Sequence, residues 1–217
     1  MDKIGIVIPC YNRAEYLDRC LKSVFDSDLS LVDTVFLIDD FSTDKKVSKE
    51  ILTCGLKYDK VKFNFKPDNR GLNNSLKIGF DYLLDNNFDY FCSLDSDAIV
   101  KKNWVGELLK LCQEYPDSII TGFNTISNDR HKIIEVRDDC IVKNNIGGIN
   151  IFFKWNLYVD VVLRAITSKN INWDNEMSYI CNMIYKKFIV TKPSVVQHIG
   201  IKSIMGHNET IDVACDF

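Results

Sequence analysis

The chain has 217 residues, 46% of them hydrophobic and 12% aromatic, which is enough to bury one substantial core and short for two full domains. Its 27 lysines and arginines are outnumbered by 30 aspartates and glutamates, a net charge of -3, so no global basic field exists to condense on DNA or RNA and nucleic acid is not an expected partner. No window approaches the roughly 20 consecutive apolar residues of a membrane helix, and the apolar run at 4–8 is too brief for a secretory signal, so no transmembrane segment and a cytoplasmic location are expected.

In chain order, residues 4–9 read as a first buried strand. Beyond Asn12, the apolar positions Tyr16, Leu17, Cys20, Leu21 and Val24 recur at the three-and-four spacing of one helix face. Residues 34–38, 61–65 and 90–94 are apolar runs suited to strands buried on both faces of a parallel sheet. Leu72, Leu76, Phe80, Leu83 and Leu84 mark one intervening helix; Trp104, Val105, Leu108, Leu109 and Cys112 mark another, which stops before Pro116. Such alternation is the pattern of βαβ units, with right-handed crossovers by default. Beyond Ile119 it weakens. Residues 127–145 are polar and read as a loop or a small β excursion, followed by a strand at 149–153, helices at 155–166 and 175–187, and a last strand at 194–199. The expected fold class is α/β, a Rossmann-like domain with a mostly parallel central sheet flanked by helices. Eight cysteines show neither a C-x-x-C pair nor metal-finger spacing and read as reduced structural thiols, with Cys10 beside the presumed site.

In an open parallel sheet, ligands bind outside the carboxyl ends of the strands. Here those positions carry Tyr11-Asn12-Arg13, Asp39-Asp40, Asp68-Asn69-Arg70-Gly71 and Asp95-Ser96-Asp97, so aromatic, acidic and basic groups converge on one edge. On extended chain, Asp95 and Asp97 would leave the same face about 6.7 Å apart. At an effective dielectric of about 20, that separation gives a repulsion on the order of 2.5 kcal/mol. A divalent cation would relieve it, and all-oxygen ligation suits Mg²⁺ or Mn²⁺. Taken alone, the D-x-D also fits a solvated turn or a helix cap.

Four segments in order, Ile8-Pro9-Cys10-Tyr11-Asn12-Arg13, Ile38-Asp39-Asp40-Phe41-Ser42-Thr43-Asp44, Asn69-Arg70-Gly71 and Asp95-Ser96-Asp97, resemble family 2 glycosyltransferases of the GT-A fold. The resemblance covers roughly the first 125 residues. It implies a single domain over 1–217, with a nucleotide-binding half at 1–125 and an acceptor half at 126–217. It implies that Tyr11 packs on the donor base, Asp40 contacts the base edge, Arg70 lies near the diphosphate and Pro9 shapes the pocket wall. Asp97 and Asp95 would hold Mn²⁺ or Mg²⁺ on the diphosphate. The implied nucleotide-sugar set along this edge is Pro9, Tyr11, Arg13, Asp40, Asn69, Arg70, Asp95 and Ser96. At Phe41 the family usually has glycine, so the loop conformation there is open. Ser42 and Asp44 could alternatively cap the next helix.

In the second half, Gly147-Gly148 precedes a strand and either lines the donor-sugar pocket or makes a simple turn. An inverting transfer needs a carboxylate to take the acceptor hydroxyl's proton. Asp174 is the candidate base, with Glu176 in reserve, and the alternative is that Asp174 only caps its helix. Relatives carry a Glu-Asp pair where this chain has Trp173-Asp174, so Trp173 is a candidate stacking platform. His198 follows an apolar strand; a structural histidine is one reading, and the resemblance implies a third metal ligand. His131 and His207 lie in polar segments and read as solvent-exposed.

The reaction so implied moves a sugar from a nucleoside-diphosphate donor, UDP-linked in first preference, to a hydroxyl of a glycan, protein or small molecule. The alternative is a non-catalytic sugar-nucleotide or glycan-binding module of the same fold. A phosphohydrolase would need a threonine-like residue where Ile99 stands. Neither G-x-G-x-x-G nor a P-loop pattern occurs.

Overall fold

A computed structural model describes residues 2–125, 131–169, 172–200 and 212–217. The elements are β1 (Ile4–Cys10), α1 (Ala14–Phe25), β2 (Thr34–Asp39), α2 (Lys45–Lys57), β3 (Val61–Phe65), α3 (Gly71–Asp85), β4 (Tyr90–Leu94), β5 (Ala98–Val100), α4 (Trp104–Glu114), β6 (Ile119–Thr121), β7 (Ile133–Val136), β8 (Cys140–Lys143), β9 (Asn150–Lys154), α5 (Leu163–Thr167), α6 (Trp173–Met183), β10 (Phe188–Thr191) and β11 (Val196–His198). A π-helical turn, Tyr158–Val162, leads into α5.

Nine strands form one sheet in the order β3-β2-β1-β4-β9-β6-β10-β8-β7. The pairings make β9 and β8 run opposite to the other strands, so the sheet is mostly parallel in direction. Period-two alternation along β1 sends Ile4, Ile6, Ile8 and Cys10 into one core and Val7 into the other. The first core lies under α1, α2 and α4, and the second under α3, α5 and α6, which makes a helix–sheet–helix sandwich. No helix among the described residues is long and apolar enough to cross a membrane.

The structure corrects the sequence reading at three places and decides between its alternatives at a fourth, the polar stretch at 127–145, in favour of the β excursion. β3 is an outer strand with only Val61 buried, which accounts for Lys62 and Asn64 alternating with its apolar residues. The polar stretch contains the hairpin strands β7 and β8, which extend the sheet at its other edge. β6 and β10 are buried strands of three and four residues, too short to show periodicity. The final strand spans only Val196–His198 and pairs antiparallel with β5, in a two-stranded sheet of its own.

Candidate functional site

The ends of β1, β2 and β4 bring three loops together. After β1, Asn12 and Arg13 adopt left-handed backbone, with φ of 53° and 59°. Asparagine tolerates that region better than most residues. Its side chain stitches the first loop to the second. Asn12 Oδ1 accepts from the Thr43 and Asp44 amides at 2.9 and 3.1 Å, while its own amide donates to Ser42 Oγ at 2.8 Å. Asp44 caps α2 by accepting from the Lys46 amide, whereas Ser42 is committed to Asn12. Phe41 is left-handed at φ 63° and half exposed, a backbone conformation that glycine adopts more readily.

Asp40 is buried, and its carboxylate is already engaged. It pairs with the buried Lys66 ammonium and accepts from the Arg70 and Gly71 amides at 2.9 and 2.8 Å. Gly71 supplies a φ of 81° at the start of α3, where a side chain would be strained. Asn69 donates to the Asp40 carbonyl at 3.1 Å. Asp40 therefore shapes the 69–71 loop, and the exposed Arg70 guanidinium is held by Asp68 at 2.9 Å. Lys66 carries no mark in the sequence beyond its place directly after β3.

The third loop holds the D-x-D. Asp97 is 8% exposed, and its Oδ2 accepts from Arg13 Nη1 at 2.7 Å and lies 3.2 Å from His198 Nε2. The three residues come from β1, β4 and β11 ends separated by more than 80 positions in sequence. The Arg13 guanidinium also stacks over the Tyr16 ring at 4.3 Å, and its Nη2 is buried with no hydrogen-bond partner among the described residues. A Cβ on Gly200 would collide with Asp97 Oδ2 and lie 2.7 Å from His198 Nε2 and 2.8 Å from Arg13 Nη2. Gly200 thus closes over the cluster, at a position sequence reasoning did not single out.

Burial and the nearby Asp97 charge push the half-buried Asp95 well above its ordinary value. Burial also pushes Asp97 up, but the hydrogen bond and charge of His198, together with Arg13, outweigh it and hold that carboxyl below its usual range. His198 is pushed down by burial and raised, on balance, by Asp97. Its Nδ1 faces the Asp212 carbonyl at 3.1 Å, an arrangement that fixes the tautomer and turns Nε2 toward Asp97.

Among the described residues no three His, Cys, Asp or Glu side chains form a preformed metal cage. What is present is an oxygen and nitrogen pair, Asp97 and His198, with an unpaired buried guanidinium nitrogen beside it. Such a pair fits Mn²⁺ or Mg²⁺, which take one or two protein ligands and complete their shells with phosphate and water. Asp95 lies beside the pair, and its charge acts on both residues.

Tyr11 is half-buried, while Pro9 and Ser96 flank the same edge. In the second half, Gly148 lies against the Trp173 indole, 2.7 Å from the ring at its would-be Cβ, and Gly147 borders open space. Trp173 is 4% exposed and packs in the second core, so its ring is a wall beneath Gly148 and offers no open platform. Asp174 is half-buried in the first turn of α6, one residue past its start, and accepts from the Asn175 amide at 2.8 Å. The N-cap is Asn172. The Asp174 charge reaches both Asp95 and His131, which places it on the same side as the D-x-D. His131 is 9% exposed, with Nδ1 unpartnered among the described residues, against the expected solvent exposure. His207 lies outside the described residues. The eight cysteines are free and all but Cys215 are buried; burial raises Cys10 far above the usual thiol range.

The family model for glycosyl transferase family 2 matches residues 5–189. Two curated relatives come from Streptococcus pneumoniae serotype 4. Glycosyltransferase GlyA is 30% identical over 121 residues, 56% of this chain and 16% of its own length. Glycosyltransferase GlyG is 28% identical over 120 residues, 55% of this chain and 38% of its own length. This chain therefore spans well under half of either relative. Among solved structures, GalNAc-T7 with UDP, GalNAc and Mn²⁺ superposes with a TM-score of 0.75 at 15% identity, over 92% of this chain and 44% of that one. The likeness establishes the GT-A fold.

Proposed function

We propose, from the premise that the chain belongs to glycosyl transferase family 2, that it moves a sugar from a nucleoside-diphosphate donor to an acceptor hydroxyl with inversion and with a divalent cation. The observation that carries this reading is the convergence of Arg13, Asp97 and His198 on one carboxylate oxygen at the rim of a parallel sheet. Mn²⁺ or Mg²⁺ bound at Asp97 and His198, with Asp95 close by, would offset the charge that builds on the departing diphosphate.

The chain's own residues have these parts in the proposal. Tyr11 and Pro9 flank the base, and Asn69, Arg70 and Ser96 line the ribose and diphosphate. Asp40, occupied by Lys66, keeps the 69–71 loop in shape. Arg13 holds Asp97 in place, and its free Nη2 meets a donor oxygen. Gly147 and Gly148 leave room for the donor sugar over Trp173. Asp174 takes the acceptor proton, with Glu176 in reserve. UDP is the first donor nucleotide to try, because the structural neighbour was solved with it.

The test is UDP release from UDP-sugars with candidate acceptors, with and without EDTA. The reading expects EDTA to abolish release and Mn²⁺ to restore it; turnover indifferent to EDTA would remove the metal from the mechanism. Asp174→Asn is expected to lower kcat by at least a hundredfold with donor binding kept.

A further inference from the structure

A second cavity, of about 500 Å³, lies outside this site, between the first turns of α4, the end of β10 and the approach to β11. Its apolar lining includes the buried Leu111 and Val195 and the exposed Pro193. Thr191, the last residue of β10, also lines it. Strand alternation puts Thr191 on the same face as Ile189, which packs in the α4-side core. The threonine is 3% exposed and, among the described residues, its hydroxyl has no hydrogen-bond partner. Buried hydroxyls are rarely left unpaired, and this one borders a cavity able to hold the missing partner.

The mouth is positive. Lys110 and Asp139 neutralise each other at 3.1 Å, which leaves Lys101, Lys102 and Lys192 against the single carboxylate of Glu107. Lys192 spends one proton on the Arg137 carbonyl, and Lys101 rests over the Phe217 ring; among the described residues neither has an acidic partner. At the same mouth Asn103, the N-cap of α4, makes no side-chain cap bond, so the first amides of the helix favour an anion as well. Several ammonium groups and one free hydroxyl suit a head with three acceptor oxygens better than a carboxylate with two. The apolar lining suits a hydrocarbon or ring attached to it.

We propose that this cavity binds a phosphate monoester carrying an apolar group. The site is separate from the nucleotide edge, and the β5–β11 ladder divides the two. β5 starts next to Asp97 and β11 ends on His198, while Lys101 and Val195, joined by a 2.9 Å backbone bond, flank the opposite ends of the ladder. An occupant therefore sits at the far end of the two strands that carry the Asp97–His198 pair.

The experiment is calorimetric titration of phenyl phosphate into the whole chain with UDP and Mn²⁺ in excess to fill the nucleotide edge. One saturable site is expected, weakened at least fivefold by Thr191→Val and by Lys192→Ala, with no measurable binding of benzyl alcohol. Lys192 is exposed, so its variant keeps the test valid should the threonine variant fold poorly. No saturable binding, unchanged affinity in Lys192→Ala, or benzyl alcohol binding equally well would overturn the proposal. A separate UDP titration registers any failure of the nucleotide reading independently.

Discussion

Asp97 Oδ2 receives a guanidinium and faces an imidazole nitrogen, and a metal would compete for the same oxygen. In the proposed site, proton and metal would also compete for His198 Nε2. Because Asp97 raises His198, the neutral ring that ligation requires is populated only as pH climbs above a midpoint higher than its ordinary 6.5. Mn²⁺ affinity, followed by calorimetry, is therefore expected to rise through that midpoint, and an affinity flat between about pH 6 and 8 contradicts the assignment. At Phe41 a second residue-scale argument applies. Holding a non-glycine residue left-handed costs about 1–2 kcal/mol, and glycine's extra unfolded-state entropy returns about 0.5–1. Phe41→Gly should then stabilise the fold by up to about 1.5 kcal/mol in urea unfolding, since the ring is half exposed and gives up little packing. A loss of stability would mean that the ring makes contacts worth more than the strain.

The loops are held by buried polar bonds between elements. Asp40, at the end of β2, binds Lys66 after β3 and two amides opening α3, so one carboxylate ties three elements. Asp40→Ala would strand a buried ammonium and is expected to cost about 3–5 kcal/mol in urea unfolding, far more than loss of the exposed Lys110–Asp139 pair at about 0–1. A cost for Asp40→Ala under about 1 kcal/mol would show that the loop is held by other means. This scale also separates what the chain reveals from what it conceals. The strands at Ile4, Thr34 and Tyr90 and the helices around Leu17, Leu76 and Leu108 are legible because their apolar periodicity is long and both of their buried faces are apolar. β6 and β10 are three and four residues long, below the length at which periodicity speaks. Motif residues Asp97 and Arg13 are legible by position after strands. Lys66 and Gly200 are not, because their roles arise from partners 26 positions away in one case and from the close approach of Asp97 and Arg13 in the other.

On the scale of the molecule, the sheet divides the chain into two cores, and seven of eight thiols lie in or beside them. Burial raises the Cys20, Cys92 and Cys10 thiols, so thiolates are scarce in the folded state. A thiol-reactive dye should modify Cys215 alone in native protein and all eight in denaturant, and fast native modification of several would contradict the packing. The sheet edge, in turn, gathers residues from position 13 to position 198 into one cluster, and the central claim is that this cluster joins a cation to a donor diphosphate. The most direct measurement is calorimetric binding of UDP, with and without Mn²⁺, to the wild type and to Asp97→Asn. The account predicts that Mn²⁺ tightens UDP binding at least tenfold in the wild type and has no effect in Asp97→Asn; equal tightening in both, or none in the wild type, would contradict it.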